Sequence, residues 1–204
     1  MSAISILGDI SKEQFLAEYW QKKPLLVRSA IANFEAPIDA DELAGLALEA
    51  EVESRIVVEQ DWRLQHGPFS EETFANLPAE KWTLLVQAVD LWVPEVAEIL
   101  GKFDFLPQWR IDDIMVSYAA DGGSVGPHFD YYDVFLLQGA GQRRWQIGGP
   151  CDADCPILTN TDLKILKDFE PLEEWVLEPG DMLYLPPKIA HHGVAIGECT
   201  TFSV

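Results

Sequence analysis

The sequence predicts a mainly β protein, a small barrel or two-sheet sandwich, with a mixed α and β region added on its N-terminal side. From about residue 106 to residue 204, almost every segment is a short apolar or alternating run bounded by Gly and Pro, which is typical of strands and tight turns. Up to about residue 105, helical periodicity alternates with β-branched runs. The 204 residues, 48% of them hydrophobic, suffice for one sizeable core, so we expect a single domain made of these two parts.

Local signals predict the elements of the N-terminal part. Ser11 can cap a first helix that runs to about Trp20, and Pro24 then turns the chain into a strand at residues 25–27. Asp39 or Asp41 opens a second helix over residues 42–50. The elements predicted after it are a strand at 55–58, a turn at His66-Gly67-Pro68, a short helix after Ser70, an apolar run at 82–89 and a helix at 94–100.

The C-terminal part is predicted as strands joined by turns. The predicted strands cover residues 114–118, 128–138, 143–147, 174–177, 182–185 and 200–204. Gly139-Ala140-Gly141 separates the second strand from the third, and so short a link that contains glycine indicates a β-hairpin. The last strand is expected to leave a sheet edge open to solvent or to a partner.

Composition argues against several classes of function. The 14 Lys and Arg residues against 34 Asp and Glu residues give a net charge of −20, which repels phosphate backbones and attracts basic partners, so direct nucleic-acid binding is not expected. No apolar run approaches the roughly 18 residues that span a bilayer, and no leader pattern opens the chain. Membrane and secreted proteins are therefore not expected.

The three cysteines, Cys151, Cys155 and Cys199, form no CxxC pair, which is typical of reduced thiols in a cytoplasmic protein. Cys151 and Cys155 could supply half of a zinc site. Because no second pair follows, a loop is the favoured interpretation of this segment.

Three of the four histidines lie in the β-rich part and suggest a metal centre. The two-residue period of a strand would put His128 and Asp130 on one face, and a facing strand could add His191 or His192. Two imidazoles and one carboxylate on one side of a metal leave the opposite positions open, as in non-haem Fe(II) oxygenases. The alternative is a hydrogen-bonded structural histidine, which is the commoner role of a single His on a strand.

The spacing around these residues favours the metal centre. Five residues separate Gly122 from His128, and five separate Gly180 from Pro186, which precedes His191. These two motifs repeat, in order, the two halves of the double-stranded β-helix signature. With them the sequence resembles the cupin superfamily, and within it the JmjC-type oxygenases that use iron and 2-oxoglutarate.

The resemblance is greatest to the bacterial ribosomal oxygenases, arginyl hydroxylases that act on ribosomal protein sixteen of the large subunit. The matching segments are residues 19–24, 41–47, 66–69, 109–113, 125–128 and 178–181. The resemblance implies a double-stranded β-helix, the jelly roll of cupin and JmjC proteins. It also implies that Fe(II), 2-oxoglutarate and dioxygen serve to hydroxylate an arginine in a basic ribosomal protein.

The resemblance also implies the metal ligands. His128, Asp130 and His191 would bind the iron. His192 would then be only a neighbour of the site.

Cosubstrate-binding residues are expected on other strands. The resemblance implies that Arg143 holds the distal carboxylate of 2-oxoglutarate, since a guanidinium offers two parallel donors. Arg144, facing the other way, would be a surface or sheet-edge charge. The strand hydroxyls that could donate to the cosubstrate are those of Ser117, Thr201 and Ser203, of which Ser117 is preferred.

Acidic and aromatic residues near the metal motif could bind a basic side chain. The candidates for gripping a guanidinium or flanking its aliphatic stem are Asp112, Asp113, Asp121, Asp133, Tyr131 and Tyr132. Two alternative functions stay open: hydroxylation of a small molecule or another protein by the same metal core, and a non-catalytic metal-binding module.

The sequence departs from the family pattern in three places. Lys188 stands where the general cupin pattern has Gly, and Ala195 stands where it has Asn. The sequence stops at Val204, whereas related oxygenases continue into a helical dimerisation region and a winged-helix-like domain. We therefore expect those regions to be absent, and a homodimer is possible only without the family's dimerisation region.

Overall fold

Two antiparallel sheets dominate residues 5–204, the part of the chain that the computed structural model describes. Their strands are β1 (Leu25–Val27), β2 (Ser54–Val58), β3 (Arg63–His66), β4 (Trp82–Val86), β5 (Met115–Ala119), β6 (Val134–Gln138), β7 (Gln142–Pro150), β8 (Glu173–Leu177), β9 (Met182–Leu185), β10 (Ile189–Ile196) and β11 (Cys199–Ser203). The larger sheet has the order β1-β9-β6-β11-β5-β4-β2-β3, and the smaller one has the order β10-β7-β8. The mainly β prediction is confirmed.

Short helices accompany the N-terminal strands, and side chains cap three of them. The helices are α1 (Lys12–Glu18), α2 (Ala40–Leu46), α3 (Glu71–Ala75) and α4 (Pro94–Leu100), with 3-10 turns at Val89–Leu91, Gly101–Phe103 and Gln108–Arg110. Ser11 and Ser70 cap α1 and α3, and Asp39 caps α2 in a capping box with Glu42. None of the helices within residues 5–204 is long and apolar enough to cross a membrane.

Central strands of the larger sheet, such as β6 and β9, are buried on both faces because their side chains alternate between two cores. On β6, Phe135 and Leu137 belong to the core that contains the helices, whereas Val134 and Leu136 belong to the core between the two sheets. All five residues of β6 are buried. A strand covered on both faces reads as an uninterrupted apolar run, as residues 134–137 do.

The register of adjacent strands lines up the side chains that face the space between the sheets. Leu85 on β4 lies opposite Arg55 on β2 and Ser117 on β5, and Ser117 in turn lies opposite Thr201 on β11. Gln87, two residues after Leu85, continues the same face just beyond the end of β4. All five side chains line one cavity.

The predicted hairpin at residues 139–141 is wrong. β6 pairs with β9 and β11, whereas β7 pairs with β10 and β8, so this link crosses from one sheet to the other. Both glycines lie against β11 or the turn before it, where a Cβ on Gly139 would stand 2.3 Å from Thr200 Oγ1 and one on Gly141 would stand 2.0 Å from Glu198 O. A chain segment that crosses closely from one sheet to the other therefore requires glycine, as a hairpin turn does.

Other strand predictions also need correction. The strand predicted at 128–138 begins only at Val134, and His128 forms an isolated bridge with His191. Sequence analysis did not identify β3 or β10. β11 lies between β5 and β6, so the open edge expected for it does not exist. The larger sheet combines strands from both predicted parts of the chain, and the single-domain organisation stays a prediction.

Candidate metal centre

Three side chains bring together the ligand atoms of a metal site. One ligand atom from each of His128, Asp130 and His191 lies within 4.8 Å of the other two. Asp130 Oδ2 lies 3.9 Å from His128 Nε2 and 3.6 Å from His191 Nε2, and the imidazole ring centroids are 4.3 Å apart. These atoms are within reach of a single ion, and no other group of this kind occurs in the described part of the chain.

Backbone pairing, rather than one long strand, holds the two histidines. His128 N–H donates to His191 O at 2.9 Å, and His191 N–H donates to His128 O at 2.8 Å. Each Nδ1 lies 2.9 Å from a carbonyl oxygen two residues earlier, that of Gly126 for His128 and that of Ile189 for His191. Because a carbonyl can only accept, Nδ1 must carry the proton, and Nε2 keeps the lone pair that a metal needs.

Lys188, just before β10, holds the backbone of Asp130. Lys188 N–H donates to Asp130 O at 2.6 Å, and Lys188 O accepts from Cys151 N–H at 2.7 Å. Lys188 has a φ of +66°, in the left-handed region that is unfavourable for a residue with a Cβ. The general cupin pattern has Gly here, so the departure seen in the sequence carries a backbone cost.

Burial favours the neutral imidazoles that metal binding requires. His191 is 3% exposed, and burial, followed by the nearby His128, lowers its pKa to about 3. Burial and His128 also lower the pKa of His192 to about 4. His192 stands outside the ligand group and meets the Phe169 ring edge-on at 5.9 Å. Of the two histidines that the pattern left open, the structure brings only His191 to Asp130.

A cavity of about 910 Å³ extends from the ligand group to the protein surface. Exposed aromatic rings line its outer part, with Trp109 79%, Tyr131 58% and Tyr132 64% exposed. Side chains from both sheets line its inner part, among them Arg143 and Trp145 of β7 and Ser117 of β5. This volume is in the range of pockets that enclose a small ligand.

Arg143 lines the cavity as a buried cation. The residue is 4% exposed, and its Nε and Nη2 atoms are enclosed without a hydrogen-bond partner among residues 5–204. Its guanidinium carbon lies 5.8 Å from the centroid of the Trp145 ring. Because a buried charge is costly unless it is paired, this side chain fits a carboxylate ligand.

Ser117 and Thr201 face each other across β5 and β11 and line the same cavity, as Ser203 does. Ser117 Oγ donates to Thr201 O at 3.5 Å, and Thr201 Oγ1 donates to Gln138 Oε1 at 3.3 Å. Both bonds are long for hydroxyl donors, which leaves these groups free to turn toward a better acceptor. Their role toward a cosubstrate stays a prediction.

The acidic candidates separate into different environments. Three line the cavity, namely Asp112, Asp113 and Asp133. Asp121 does not, and it accepts a hydrogen bond from Gly197 N–H at 2.7 Å. Asp133 accepts from the Tyr184 hydroxyl and from Gln21 Nε2, so both of its oxygens are engaged. Of the other two, Asp112 is exposed and Asp113 is half-buried.

Asp113 belongs to a polar group that sequence analysis missed. Gln87 Nε2 donates to its two oxygens at 3.0 and 2.8 Å, and Gln87 Oε1 accepts from Arg55 Nη2 at 3.2 Å. Burial raises the pKa of Asp113, the Gln87 hydrogen bond opposes that rise, and the charges of Asp112 and Asp90 add to it. The two-residue period of the strands was the only signal for Gln87 and Arg55 in the sequence.

Side chains away from the cavity test two further predictions. Arg144 alternates with the buried Arg143, as expected, but it is half-buried and β7 is the central strand of its sheet, so Arg144 is not a sheet-edge charge. Cys151 and Cys155 are half-buried free thiols in the loop after β7, which confirms the loop interpretation. They join no three-ligand group within residues 5–204, so the zinc alternative has no support.

Comparison with known proteins gives consistent matches. The family model described as JmjC domain matches residues 98–204. A probable ribosomal oxygenase of Haemophilus influenzae is 46% identical over 95% of this chain and 49% of its own length. The ribosomal protein uL16 3-hydroxylase of Escherichia coli is 46% identical over 93% of this chain and 51% of its own length. The chain thus spans about half the length of these curated relatives.

Solved structures agree with the sequence matches. The X-ray structure of E. coli YcfD superposes with a TM-score of 0.90 at 43% identity and covers 96% of this chain and 52% of that one. A structure of the E. coli ribosomal oxygenase YcfD in complex with cobalt and 2-oxoglutarate superposes with a TM-score of 0.85 at 43% identity, and it covers 96% of this chain and 51% of that one.

Proposed function

Because the chain belongs to the JmjC-domain family, we propose that it is an Fe(II)- and 2-oxoglutarate-dependent protein hydroxylase whose substrate is an arginine of a large-subunit ribosomal protein. One observation carries this proposal: the ligand group of His128, Asp130 and His191 shares a single cavity with the buried cation Arg143. A metal site beside a buried carboxylate-binding cation suits an oxygenase whose cosubstrate is a dicarboxylate.

The donor set suits ferrous iron. His128, Asp130 and His191 would hold the ion from one side through two neutral nitrogens and one carboxylate oxygen. When bound, iron with 2-oxoglutarate and dioxygen supplies the oxidation of a C–H bond to C–OH, with succinate and carbon dioxide as the other products. The E. coli relative solved with cobalt and 2-oxoglutarate supports this pair of ligands.

Arg143 would hold the distal carboxylate of 2-oxoglutarate. The guanidinium can offer two parallel N–H donors to a carboxylate, and this pairing would offset the cost of burying the cation. The hydroxyls of Ser117 and Thr201, on the wall of the same cavity, would donate further hydrogen bonds.

The substrate side chain would enter through the outer part of the cavity, which the exposed aromatic rings line. Its charge complements Asp112 and Asp113, and Tyr131 and Tyr132 could flank an aliphatic stem. The chain's net charge of −20 would attract a basic protein such as a ribosomal protein. The name of the E. coli relative, ribosomal protein uL16 3-hydroxylase, supports uL16 as the substrate.

The proposal also covers the cellular location and the kind of binding partner. We propose a cytoplasmic protein, a location supported by its free cysteines and by a ribosomal substrate. The same excess of acidic charge supports contact with the ribosomal protein rather than with RNA.

Aerobic incubation of the chain with ferrous iron, 2-oxoglutarate and uL16 peptides tests the function. Mass spectrometry should find one arginine peptide heavier by one oxygen atom, and the His128→Ala variant should not produce it. Succinate formation without peptide oxidation would point to another substrate. Neither succinate nor oxidised peptide, in a chain that binds cobalt and 2-oxoglutarate, would support the non-catalytic alternative.

A further inference from the structure

Hydrogen bonds link three polar side chains along the cavity wall. Arg55 lies on β2, Gln87 lies one residue beyond β4, and Asp113 lies two residues before β5. The Gln87 amide bridges the other two, accepting from Arg55 Nη2 at 3.2 Å and donating to both Asp113 oxygens at 2.8 and 3.0 Å. All three side chains are half-buried and line the cavity.

The amide separates two opposite charges. The Gln87 amide lies between a cation and a carboxylate, and the described chain contains no ion pair between Arg55 and Asp113. A neutral side chain satisfies part of the hydrogen-bonding capacity of each partner and removes no net charge from either one. The two hydrogen bonds from Gln87 therefore fix the direction of the Asp113 carboxylate beside the cavity.

The surroundings of Asp113 show why a neutral donor matters there. Burial raises the pKa of Asp113, and the charges of Asp112 and Asp90 raise it as well, while the Gln87 hydrogen bond lowers it. Asp90 is itself engaged by the Ile114 N–H at 2.8 Å. Gln87 thus supplies the principal hydrogen bond that favours the charged form of Asp113.

We propose that Gln87 is a positioning residue for substrate: it holds the Asp113 carboxylate apart from Arg55 so that this carboxylate can bind the guanidinium of the target arginine. This inference rests on the proposed function, because it assumes a cationic substrate side chain. Gln87 acts through Asp113 and touches no reacting atom. Its loss should weaken the selection of a charged side chain and leave cosubstrate binding unchanged.

The local backbone does not depend on the Gln87 side chain. Gln87 N–H donates to Glu53 O at 2.9 Å, which holds the end of β4 against the loop before β2. A Gln87→Met variant, similar in size but without the amide, should therefore fold. Gln146 offers a matched control, because it is also half-buried on a strand and its Nε2 donates to Glu174 Oε2 at 2.8 Å, away from the cavity.

Binding measurements on the full chain test the inference independently of catalysis. Fluorescence anisotropy would give the Kd of an arginine-containing uL16 peptide and of the same peptide with citrulline, a neutral isostere, in its place. The wild type should prefer arginine, and Gln87→Met should lose about tenfold of that preference, as expected for a hydrogen bond to a charged group. Gln146→Met should retain it, and the Kd for 2-oxoglutarate should be the same in all three proteins.

A double variant separates positioning from a direct role. If Gln87 acts through Asp113, the variant with both Gln87→Met and Asp113→Asn should bind the arginine peptide no more weakly than Asp113→Asn alone. Additive losses would overturn the inference, and so would an equal loss for the citrulline peptide or a wild type that does not prefer arginine. A wild type that prefers arginine but never oxidises it would instead refute the proposed function and leave the inference standing.

Discussion

Replacing Arg143 with Met should weaken 2-oxoglutarate binding and at the same time stabilise the ligand-free protein. The guanidinium is 4% exposed and has two enclosed nitrogens without a partner in residues 5–204, so the ligand-free fold carries the cost of a buried, unpaired cation. Exchanging buried charges for a well-packed apolar side chain commonly stabilises a protein by about 1–4 kcal/mol. In a chain of this length that corresponds to a rise in Tm of about 2–4 °C per kcal/mol.

The ligand-bound state should respond in the opposite direction. Two hydrogen bonds from the guanidinium to a carboxylate contribute about 1.5–3 kcal/mol each. Their combined loss should raise the Kd for 2-oxoglutarate by a factor of about 100 or more. At 2-oxoglutarate concentrations near 100 times its Kd, the wild type should gain about 2.7 kcal/mol of stability, and the Arg143→Met variant should gain almost none.

Thermal unfolding with and without 2-oxoglutarate, in the presence of cobalt, measures both effects. Arg144→Met is the matched control, since Arg144 is the neighbouring arginine of β7 and does not line the cavity. It should keep the 2-oxoglutarate-dependent rise in Tm. A lower Tm of ligand-free Arg143→Met than of the wild type, combined with a normal rise on adding 2-oxoglutarate, would refute the reasoning.

Three other changes have definite expected outcomes. His191→Ala should abolish cobalt binding in a spectroscopic titration, whereas His192→Ala should retain it; loss of binding in both would contradict the assignment of ligands. Lys188→Gly should raise the free energy of unfolding by about 1 kcal/mol, because φ at this position is +66°. Chemical denaturation measures this change, and a decrease would show that the Lys188 side chain makes compensating contacts. Gly193→Ala should destabilise the protein and raise the Kd for 2-oxoglutarate, since the added Cβ would stand 2.7 Å from the Trp145 ring beside Arg143. If calorimetry gives an unchanged Kd for 2-oxoglutarate, the Trp145 ring does not position the Arg143 guanidinium.

Elements defined by neighbouring residues could be predicted from the sequence. β1, β9 and α4 match their predicted bounds, and Ser11 and Ser70 cap helices as expected. In each case the signal is local, whether a capping side chain, a proline at the first helical position or a short apolar run. The strand pattern indicated a small barrel or two-sheet sandwich, the family resemblance implied the jelly roll, and the YcfD superposition confirms it.

Elements that depend on distant pairing could not be predicted in the same way. Gly139 and Gly141 look like turn residues, and only the position of β11 makes them a crossing between sheets. β10 contains two adjacent histidines and Gly193, which hide its alternation. Such a strand is recognisable only once β7 lies beside it.

Some residues of the candidate site could likewise be predicted from the sequence, whereas others are placed only by the pairing of distant strands. The residue spacing pointed to His128 and Asp130 and left His191 or His192 open, and the family resemblance implied His191. The structure brings ligand atoms of His128, Asp130 and His191 within 4.8 Å of one another. Arg55 lies on β2 and Gln87 lies just beyond β4, and pairing of β2 with β4 and of β4 with β5 sets their places. No local pattern connects them to Asp113.

The place of β11 between two much earlier strands also determines when the protein can fold during synthesis. Gln138 of β6 and Ser117 of β5 precede their contacts on Thr201 by 63 and 84 residues. A nascent chain that has emerged only through β10 would expose two unpaired strand edges, which invite association with other chains. Long-range closure of this kind is slow and leaves both edges open until β11 appears. Cleavage before Cys199 would remove the strand that joins β5 to β6 and, with it, the Thr201 side chain that lines the cavity.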